Sequence, residues 1–315
     1  MSMNLMKLQE VIRLTDETRQ TTNTMRQGVC GSMHINQLAV IGAGQMGSGI
    51  AQVMAQEGKE VFIHDIKEAY ILNGIGRIEK NLTRDVVKGR KTEAEKEAIL
   101  SRIHPVTDLQ DVREVEFVIE AATENPEIKR NIFKQLDQLM ERETILATNT
   151  SSISITKIAA ATSRPDKVIG MHFFNPVPIM RLVEVIRGMA TDDQTEQTVK
   201  DLAEEVNKVP VAIRDFPGFA ANRILIPMIN EAIYCVYEGV SSPESIDQVM
   251  KLGANQPMGP LALADLIGLD TCLSIMEVLY EGYGDSKYRP CPLLKKYVEA
   301  NWLGRKTGRG FYIYE

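Results

Sequence analysis

Short apolar segments alternate with helical segments from Ile35 to Asp215, and this alternation constrains the fold more than any other feature of the chain. The predicted strands are 38–42, 61–65, 116–124, 144–151, 167–175, 181–188 and 211–215. Such alternation is typical of a mostly parallel sheet that is covered by helices on both faces. The sequence therefore predicts an α/β fold for its first two thirds.

Helix signals lie between these strands. The spacing predicts a helix over 46–56 that ends at Gly58, and the pair Asn125-Pro126 predicts the start of a helix that reaches about Glu141. A long charged helical stretch after the second strand is interrupted over 88–91 and restarts at Thr92, where Glu95 completes a capping box. We expect a helical hairpin inserted into the sheet domain.

Beyond Pro217-Gly218 the chain predicts helices only, with Ser242 as one N-cap. The predicted helices are 220–238, 243–252, 261–280 and 292–301. The first of them is apolar nearly all round, which predicts burial between subdomains or subunits. We expect three parts: an N-terminal extension over 1–33, a sheet domain over 34–217 and a helical domain over 218–315.

Composition narrows the class of protein. The 315 residues are 44% hydrophobic and carry a formal net charge of −6, so there is no overall basic field to hold nucleic acid or an anionic membrane. No apolar run reaches the roughly 18 residues of a membrane span. The four cysteines include no C-x-x-C pair, which favours a reduced, cytoplasmic compartment.

Residues 1–33 differ from the rest of the chain because they are rich in Thr, Gln, Met and Asn. The acids Glu10, Asp16 and Glu17 argue against a mitochondrial transit peptide. We interpret the segment as a mobile extension, or as an upstream start before a functional chain that begins near Met33.

The glycine motif Gly42-Ala43-Gly44-Gln45-Met46-Gly47 follows the first strand and opens a helix. In that context G-x-G-x-x-G predicts a dinucleotide site, because Gly44 lets the backbone approach a pyrophosphate at the helix N-terminus. Asp65 ends the second strand, where an acid would bind the adenosine ribose and repel a 2′-phosphate. The pattern favours NAD over NADP, although Lys67 would weaken the preference.

The predicted fold class is α/β: a Rossmann-type, mostly parallel sheet with an inserted helical hairpin, followed by an all-α C-terminal domain.

His172 lies near the end of a predicted strand, at the edge where open α/β sheets place their ligands. On its own it would more often be a satisfied core histidine. Glu184, however, sits in the apolar run LVEVI, where an ionised carboxylate is costly without a partner. If the two strands are neighbours, Glu184 can accept the Nδ1 proton and orient His172 as the base of a dehydrogenase.

Several polar residues allow both a functional and a structural interpretation. The loop 149–152 could be ordinary, or its hydroxyls could bind a reacting oxygen. Asn222 at the start of the apolar helix could serve as a cap or orient substrate. The basic residues Lys88, Arg90 and Lys91 could be a solvated face or meet phosphates. The histidines show no metal-binding spacing, so we predict no metal.

Longer strings carry a resemblance to a known family. They are GAGQMG, ATENPEIK, TNTSSISI, GMHFFNPVPIMRLVEVI, PGFAANRIL, PMGPLALADLIGLD and GRKTGRGFYIY. With them the chain, from about Ile35 to its end, resembles the 3-hydroxyacyl-CoA dehydrogenase family, especially the bacterial members that act on 3-hydroxybutyryl-CoA. The resemblance implies an NAD-binding domain, a helical domain that forms a homodimer, and an acyl-CoA substrate in the cleft between them.

Site residues follow from the resemblance position by position. It implies His172 as catalytic base with Glu184 as its acidic partner, and Ser151 and Asn222 as contacts of the reacting oxygen. The further assignments are Asp65 for the ribose, Glu124 and Lys129 near the nicotinamide, Gln45, Met46 and Asn149 with the glycines for the cofactor, and Asn175, Lys88 and Asn81 for the substrate. Asn81 stands where animal members carry a serine that contacts CoA.

The implied reaction is the reversible, NAD-dependent oxidation of an L-3-hydroxyacyl-CoA to the 3-ketoacyl-CoA. Two alternatives remain open at this point. One is a related dehydrogenase of a free hydroxy acid or sugar acid, which would work without CoA. The other is a non-catalytic dinucleotide-binding or structural protein, which would bind NADH and turn over nothing.

Overall fold

The computed structural model of the protein describes residues 34–314, and within that range eight strands form one sheet. They are β1 (Gln37–Ile41), β2 (Glu60–His64), β3 (Ile103–Val106), β4 (Phe117–Glu120), β5 (Ile145–Thr148), β6 (Val168–Phe173), β7 (Leu182–Arg187) and β8 (Val209–Arg214). Their order is β3-β2-β1-β4-β5-β6-β7-β8. All neighbours pair in parallel except β6 and β7, so β7 and β8 run against the other six strands.

Eleven α-helices lie within the same described range. They are α1 (Gln45–Gln56), α2 (Glu68–Val87), α3 (Glu93–Leu100), α4 (Pro126–Leu139), α5 (Ile155–Ala159), α6 (Asp193–Glu205), α7 (Ala221–Tyr237), α8 (Pro243–Gly253), α9 (Pro260–Ile267), α10 (Leu269–Tyr283) and α11 (Pro292–Glu299). The helical hairpin α2–α3 is present, with the predicted capping box of Thr92 and Glu95. Asn125 and Ser242 cap α4 and α8 as predicted.

Some predicted strands and helices have other bounds in the structure, and some observed ones were not predicted. The strand predicted over 116–124 ends at Glu120, because the chain turns there to form the loop before α4. The helix predicted over 261–280 is two helices, since Gly268 adopts a positive φ of 104° that breaks the helical path. The short edge strand β3 and the helices α5 and α6 were not predicted.

Among the described residues, two clusters of buried apolar side chains lie next to the site. One joins the sheet to the helices that cover it, and it includes Phe219 from the turn before α7. The other lies among the C-terminal helices α7 to α11. Helix α7 buries one side, which includes Ile226, Ile229 and Ile233, whereas Ile224 is 72% exposed. The predicted burial of α7 against another subunit stays a prediction. The chain from Ile35 onward forms one unit, and the division near Pro217 stays a prediction.

The predicted N-terminal extension, 1–33, lies outside the described residues. Within residues 34–314, no helix combines the length and apolar character that crossing a membrane requires.

Candidate active site

The glycine motif forms the tight turn between β1 and α1. A Cβ atom on Gly47 would stand 1.7 Å from the carbonyl oxygen of Gly42, and Gly42 has a φ of 105°. Both positions therefore need glycine. At Gly44 a Cβ would meet no atom within 4 Å, so the backbone there faces open space at the N-terminus of α1. This geometry suits a pyrophosphate, which approaches the backbone where no side chain intervenes.

Asp65 stands beside this turn. Its Oδ2 accepts a hydrogen bond from the Ala43 N–H at 2.8 Å, and its Oδ1 accepts one from the Ile66 N–H at 2.8 Å. The carboxylate therefore lies next to the glycine motif, at the end of β2, where the acid that binds ribose hydroxyls is expected. The residues present fit a bound dinucleotide.

His172 and Glu184 face each other across the antiparallel pair β6–β7. The Nδ1 of His172 donates to Oε2 of Glu184 at 2.9 Å, and both side chains are buried. Burial raises the pKa of Glu184, but the hydrogen bonds from His172 and the Ala221 N–H outweigh it and leave the pKa below its usual range. Glu184 is therefore ionised, and it binds His172 through Nδ1 and leaves Nε2 on the other side of the ring.

The second oxygen of Glu184 is held by the start of the helical part. Its Oε1 accepts the N–H groups of Ala220 at 3.2 Å and Ala221 at 2.9 Å. The preceding Phe219 has a φ of 51°, which is unusual for a bulky residue, and its ring lies 6.0 Å from that of His172. The turn before α7 thus fixes the carboxylate and covers the imidazole.

Ser151 lies in the loop after β5, and Glu124 holds this loop. The Oε1 of Glu124 accepts hydrogen bonds from the Ser151 N–H at 2.9 Å and from its hydroxyl at 3.1 Å. It also accepts from the hydroxyls of Thr150 and Ser152. Asn222 donates from Nδ2 to the Ser151 carbonyl at 3.2 Å. The structure therefore brings Glu124, Ser151 and Asn222 together.

Lys129 is almost wholly buried beneath this loop, although its charge would normally keep it in water. Its Nζ donates to Oε2 of Glu120 at 2.6 Å and lies 3.9 Å from Oε2 of Glu124. Thr148 donates to the same Glu120 oxygen at 2.8 Å. The charges of Lys129 and Glu120 therefore neutralise each other in the interior, and the ion pair supports the ends of β4 and β5.

Two predicted cofactor residues contact the chain around His172. Asn149 accepts the Phe173 N–H at 2.8 Å, which fixes the end of β6. Gln45 donates from Nε2 to Asn175 Oδ1 at 3.0 Å, so the glycine motif and the β6–β7 turn meet there. Met46 is half-buried in the first turn of α1.

The residues assigned to CoA lie on the helical hairpin instead. Asn81 donates from Nδ2 to Gln52 Oε1 at 3.2 Å, and Lys88 is exposed just after α2. No contact found within residues 34–314 joins either of them to His172 or Ser151.

Sequence reasoning missed several polar residues that hold the site, among them Glu120, Lys208 and Asp215. Lys208, which is buried, donates to the carbonyls of Val177 at 2.6 Å and Met180 at 2.9 Å and so fastens the β6–β7 turn. Asp215 accepts hydrogen bonds from the segment that follows Ser151. A single polar residue at a strand end has no periodic signature, so its partner is visible only in the fold.

A glycine turn fit for a dinucleotide, and a buried histidine–carboxylate pair beyond it, together define a nucleotide-dependent dehydrogenase. Comparison with known proteins agrees with that class. Residues 37–216 match the model of the 3-hydroxyacyl-CoA dehydrogenase NAD-binding domain, and residues 218–314 match that of the C-terminal domain of the same enzymes. The chain belongs to the 3-hydroxyacyl-CoA dehydrogenase family and uses NAD.

Individual relatives are similar over nearly their whole length. A probable 3-hydroxybutyryl-CoA dehydrogenase of Bacillus subtilis is 59% identical over 283 residues, which cover 90% of this chain and 99% of the relative. A 3-hydroxybutyryl-CoA dehydrogenase of Bradyrhizobium diazoefficiens is 56% identical, with 89% and 96% covered. The crystal structure of (S)-3-hydroxybutyryl-CoA dehydrogenase from Ralstonia eutropha superposes with a TM-score of 0.88 at 51% identity, with 90% and 100% covered.

Proposed function

We propose that the protein catalyses the reversible oxidation of short-chain L-3-hydroxyacyl-CoA, above all 3-hydroxybutyryl-CoA, to the 3-ketoacyl-CoA. The observation that carries this proposal is the 2.9 Å hydrogen bond between His172 and Glu184, in a chain whose full-length relatives act on 3-hydroxybutyryl-CoA. A buried, oriented imidazole is the base that alcohol oxidation needs.

His172 removes the proton from the 3-hydroxyl through Nε2, while Glu184 holds Nδ1 and stabilises the imidazolium that forms. Ser151 and Asn222 hold the reacting oxygen by hydrogen bonds. The hydrogen bond from Asn222 to the Ser151 carbonyl, which keeps the two residues together, supports this role. When bound, NAD supplies the hydride acceptor. In the reducing direction His172 returns its proton to the ketone oxygen.

The remaining residues bind the two nucleotides. Around NAD, we assign the pyrophosphate to the glycine motif with Gln45 and Met46, the adenosine ribose to Asp65, and the nicotinamide end to Glu124, Lys129 and Asn149. Asn175 stands on the substrate side. Lys88 and Asn81 meet the CoA part, which would approach along the exposed end of α2.

The domain roles follow the same scheme. Residues 34–217 bind NAD, and residues 218–315 complete the substrate cleft and form a homodimer. The exposed apolar side chains of the C-terminal helices, such as Ile224 and Leu252, support a partner subunit there. We further infer a cytoplasmic enzyme that needs neither a membrane nor nucleic acid.

The test is NADH oxidation by the purified protein with acetoacetyl-CoA, run beside NADPH and beside free acetoacetate. We expect rapid turnover only with NADH and the CoA ester. Turnover with free acetoacetate alone would move the function to a dehydrogenase of free hydroxy acids. NADH binding without any turnover would support a non-catalytic role.

A further inference from the structure

Asp215, directly after β8, is a carboxylate that no step described above uses. Its Oδ2 accepts hydrogen bonds from the Ser154 hydroxyl at 2.7 Å and from the Thr156 N–H at 2.8 Å. Its Oδ1 accepts the Ile155 N–H at 3.1 Å. All three donors belong to the segment that begins three residues after Ser151.

These contacts stabilise a helix that is too short to persist alone. Helix α5 has five residues, and isolated helices of that length are not stable in water. The first N–H groups of a helix lack intrahelical partners, and a negative charge at the N-terminus is favourable. Asp215 supplies both the acceptor and the charge from a distant part of the chain.

The loop that carries Ser151 is therefore anchored at both ends. Glu124 holds its first part through the Ser151 and Ser152 N–H groups, and Asp215 holds its last part at Ser154. The Glu124 side chain is 43% exposed, so water competes for the hydrogen bonds of this first anchor. Asp215 supplies the second anchor, which limits the loop's freedom to shift.

Asp215 also begins the segment that leads to the other oxygen-binding residue. The chain runs from Asp215 through the turn at Phe219 to Ala221, whose N–H contacts Glu184, and then to Asn222. We propose that Asp215 is a positioning residue for the reaction: its carboxylate fixes Ser151 relative to Asn222. This inference rests on the role proposed above for Ser151.

The test begins with Asp215→Asn, which keeps one acceptor oxygen but turns an amide donor toward the donors of the Ser151 segment. We expect kcat with acetoacetyl-CoA to fall at least about ten-fold while the Kd for NADH stays unchanged. The matched control is Asp192→Asn. Asp192 caps α6 through the Thr195 N–H at 2.6 Å and pairs with Lys167, and that variant should keep its kcat.

A double-mutant cycle distinguishes positioning from general support of the fold. If Asp215 acts through Ser151, Asp215→Asn should lower kcat little further once Ser151→Ala is in place. A full additional loss in the Ser151→Ala background would overturn the inference, as would an unchanged kcat for Asp215→Asn alone. If Ser151→Ala itself kept the wild-type kcat, the role proposed for Ser151 would fail, and the inference would fall with it.

Ser154→Ala is the milder variant if Asp215→Asn does not fold. It removes one of the three hydrogen bonds to Asp215 and leaves the carboxylate in place. We expect a smaller loss of kcat, about two-fold to five-fold, that again disappears in the Ser151→Ala background. A wild-type kcat for a folded Ser154→Ala protein would contradict the proposal.

Discussion

The Nδ1 of His172 lies 2.9 Å from Oε2 of Glu184, while the other oxygen of that carboxylate accepts two N–H groups from the start of α7. One buried carboxylate therefore joins the imidazole of the sheet to the helical part of the chain. The orientation of His172 depends on where α7 begins. The orientation of the imidazole and the packing of the helices are therefore coupled at Glu184.

Replacing His172 by Ala should lower kcat by roughly 10²–10⁴, because a positioned general base contributes about that much. NADH binding, measured by fluorescence, should survive, since the glycine turn is untouched. His104→Ala is the control, because His104 lies on the edge strand β3 and pairs with Glu60. A His172→Ala protein that turned over at the wild-type rate would show that another group is the base.

Replacing Glu184 by Gln should also lower kcat, by at least about ten-fold, although the shape of the side chain is kept. The carboxylate accepts from His172 on one oxygen and from Ala220 and Ala221 on the other. An amide offers only one oxygen, so one set of donors would face an NH₂ group. Steady-state kinetics measures kcat, and thermal unfolding measures the effect on stability. A variant that matched the wild type in both would contradict the role of Glu184 as the partner of His172.

Part of this site could be predicted from the sequence, because its signals are local. The glycine motif directly follows an apolar strand, and Glu184 stands out as a charge within LVEVI. The anchor at Asp215 could not be predicted, since its partners lie some 60 positions earlier and are brought near by β8. Lys208 has the same character: it binds backbone carbonyls, which leave no mark on the sequence.

Replacing Asp65 by Asn should reduce the preference for NADH over NADPH. The carboxylate stands beside the glycine turn and would repel a 2′-phosphate, and the amide would not. We expect the ratio of kcat/KM for NADH to that for NADPH to fall at least about ten-fold, a change of about 1.4 kcal/mol. Glu57→Gln, an exposed change of the same charge after α1, should leave the ratio as it is. A constant ratio in both variants would exclude Asp65 from the choice of cofactor.

Replacing Lys129 by Met should destabilise the protein by about 3–5 kcal/mol, because it leaves the buried Glu120 carboxylate without its counter-charge. Lys134→Met, an exposed change on the same helix, should cost little. Adding Glu120→Gln to Lys129→Met should cost less than the sum of the two single changes, since the unpaired charge is then removed. Urea unfolding of the wild type, the two single variants, the double variant and Lys134→Met measures these costs, and additive losses would mean that the pair is not coupled.

His64 ends β2, next to the glycine turn, and we expect it to make the stability of the protein depend on pH. Burial lowers the pKa of His64, against the opposing effects of the Thr107 backbone, Asp65 and Asp108. Its Nδ1 is buried without a hydrogen-bond partner among the described residues, and its carbonyl accepts the Gly42 N–H at 2.7 Å. The His64 backbone therefore contacts the glycine motif, while its buried imidazole favours the neutral form.

Because the folded pKa of His64 lies below the unfolded value of about 6.5, the unfolded chain takes up the proton first as the pH falls. The neutral His64 therefore contributes fully to the free energy of unfolding above about pH 6.5, and this contribution is lost as the pH falls toward the folded pKa. His64→Gln should flatten the dependence of the unfolding free energy between pH 7.5 and 5, by at most about 1.4 kcal/mol per pH unit. Urea unfolding across that range tests this, and parallel curves for the two proteins would mean that His64 does not carry the effect.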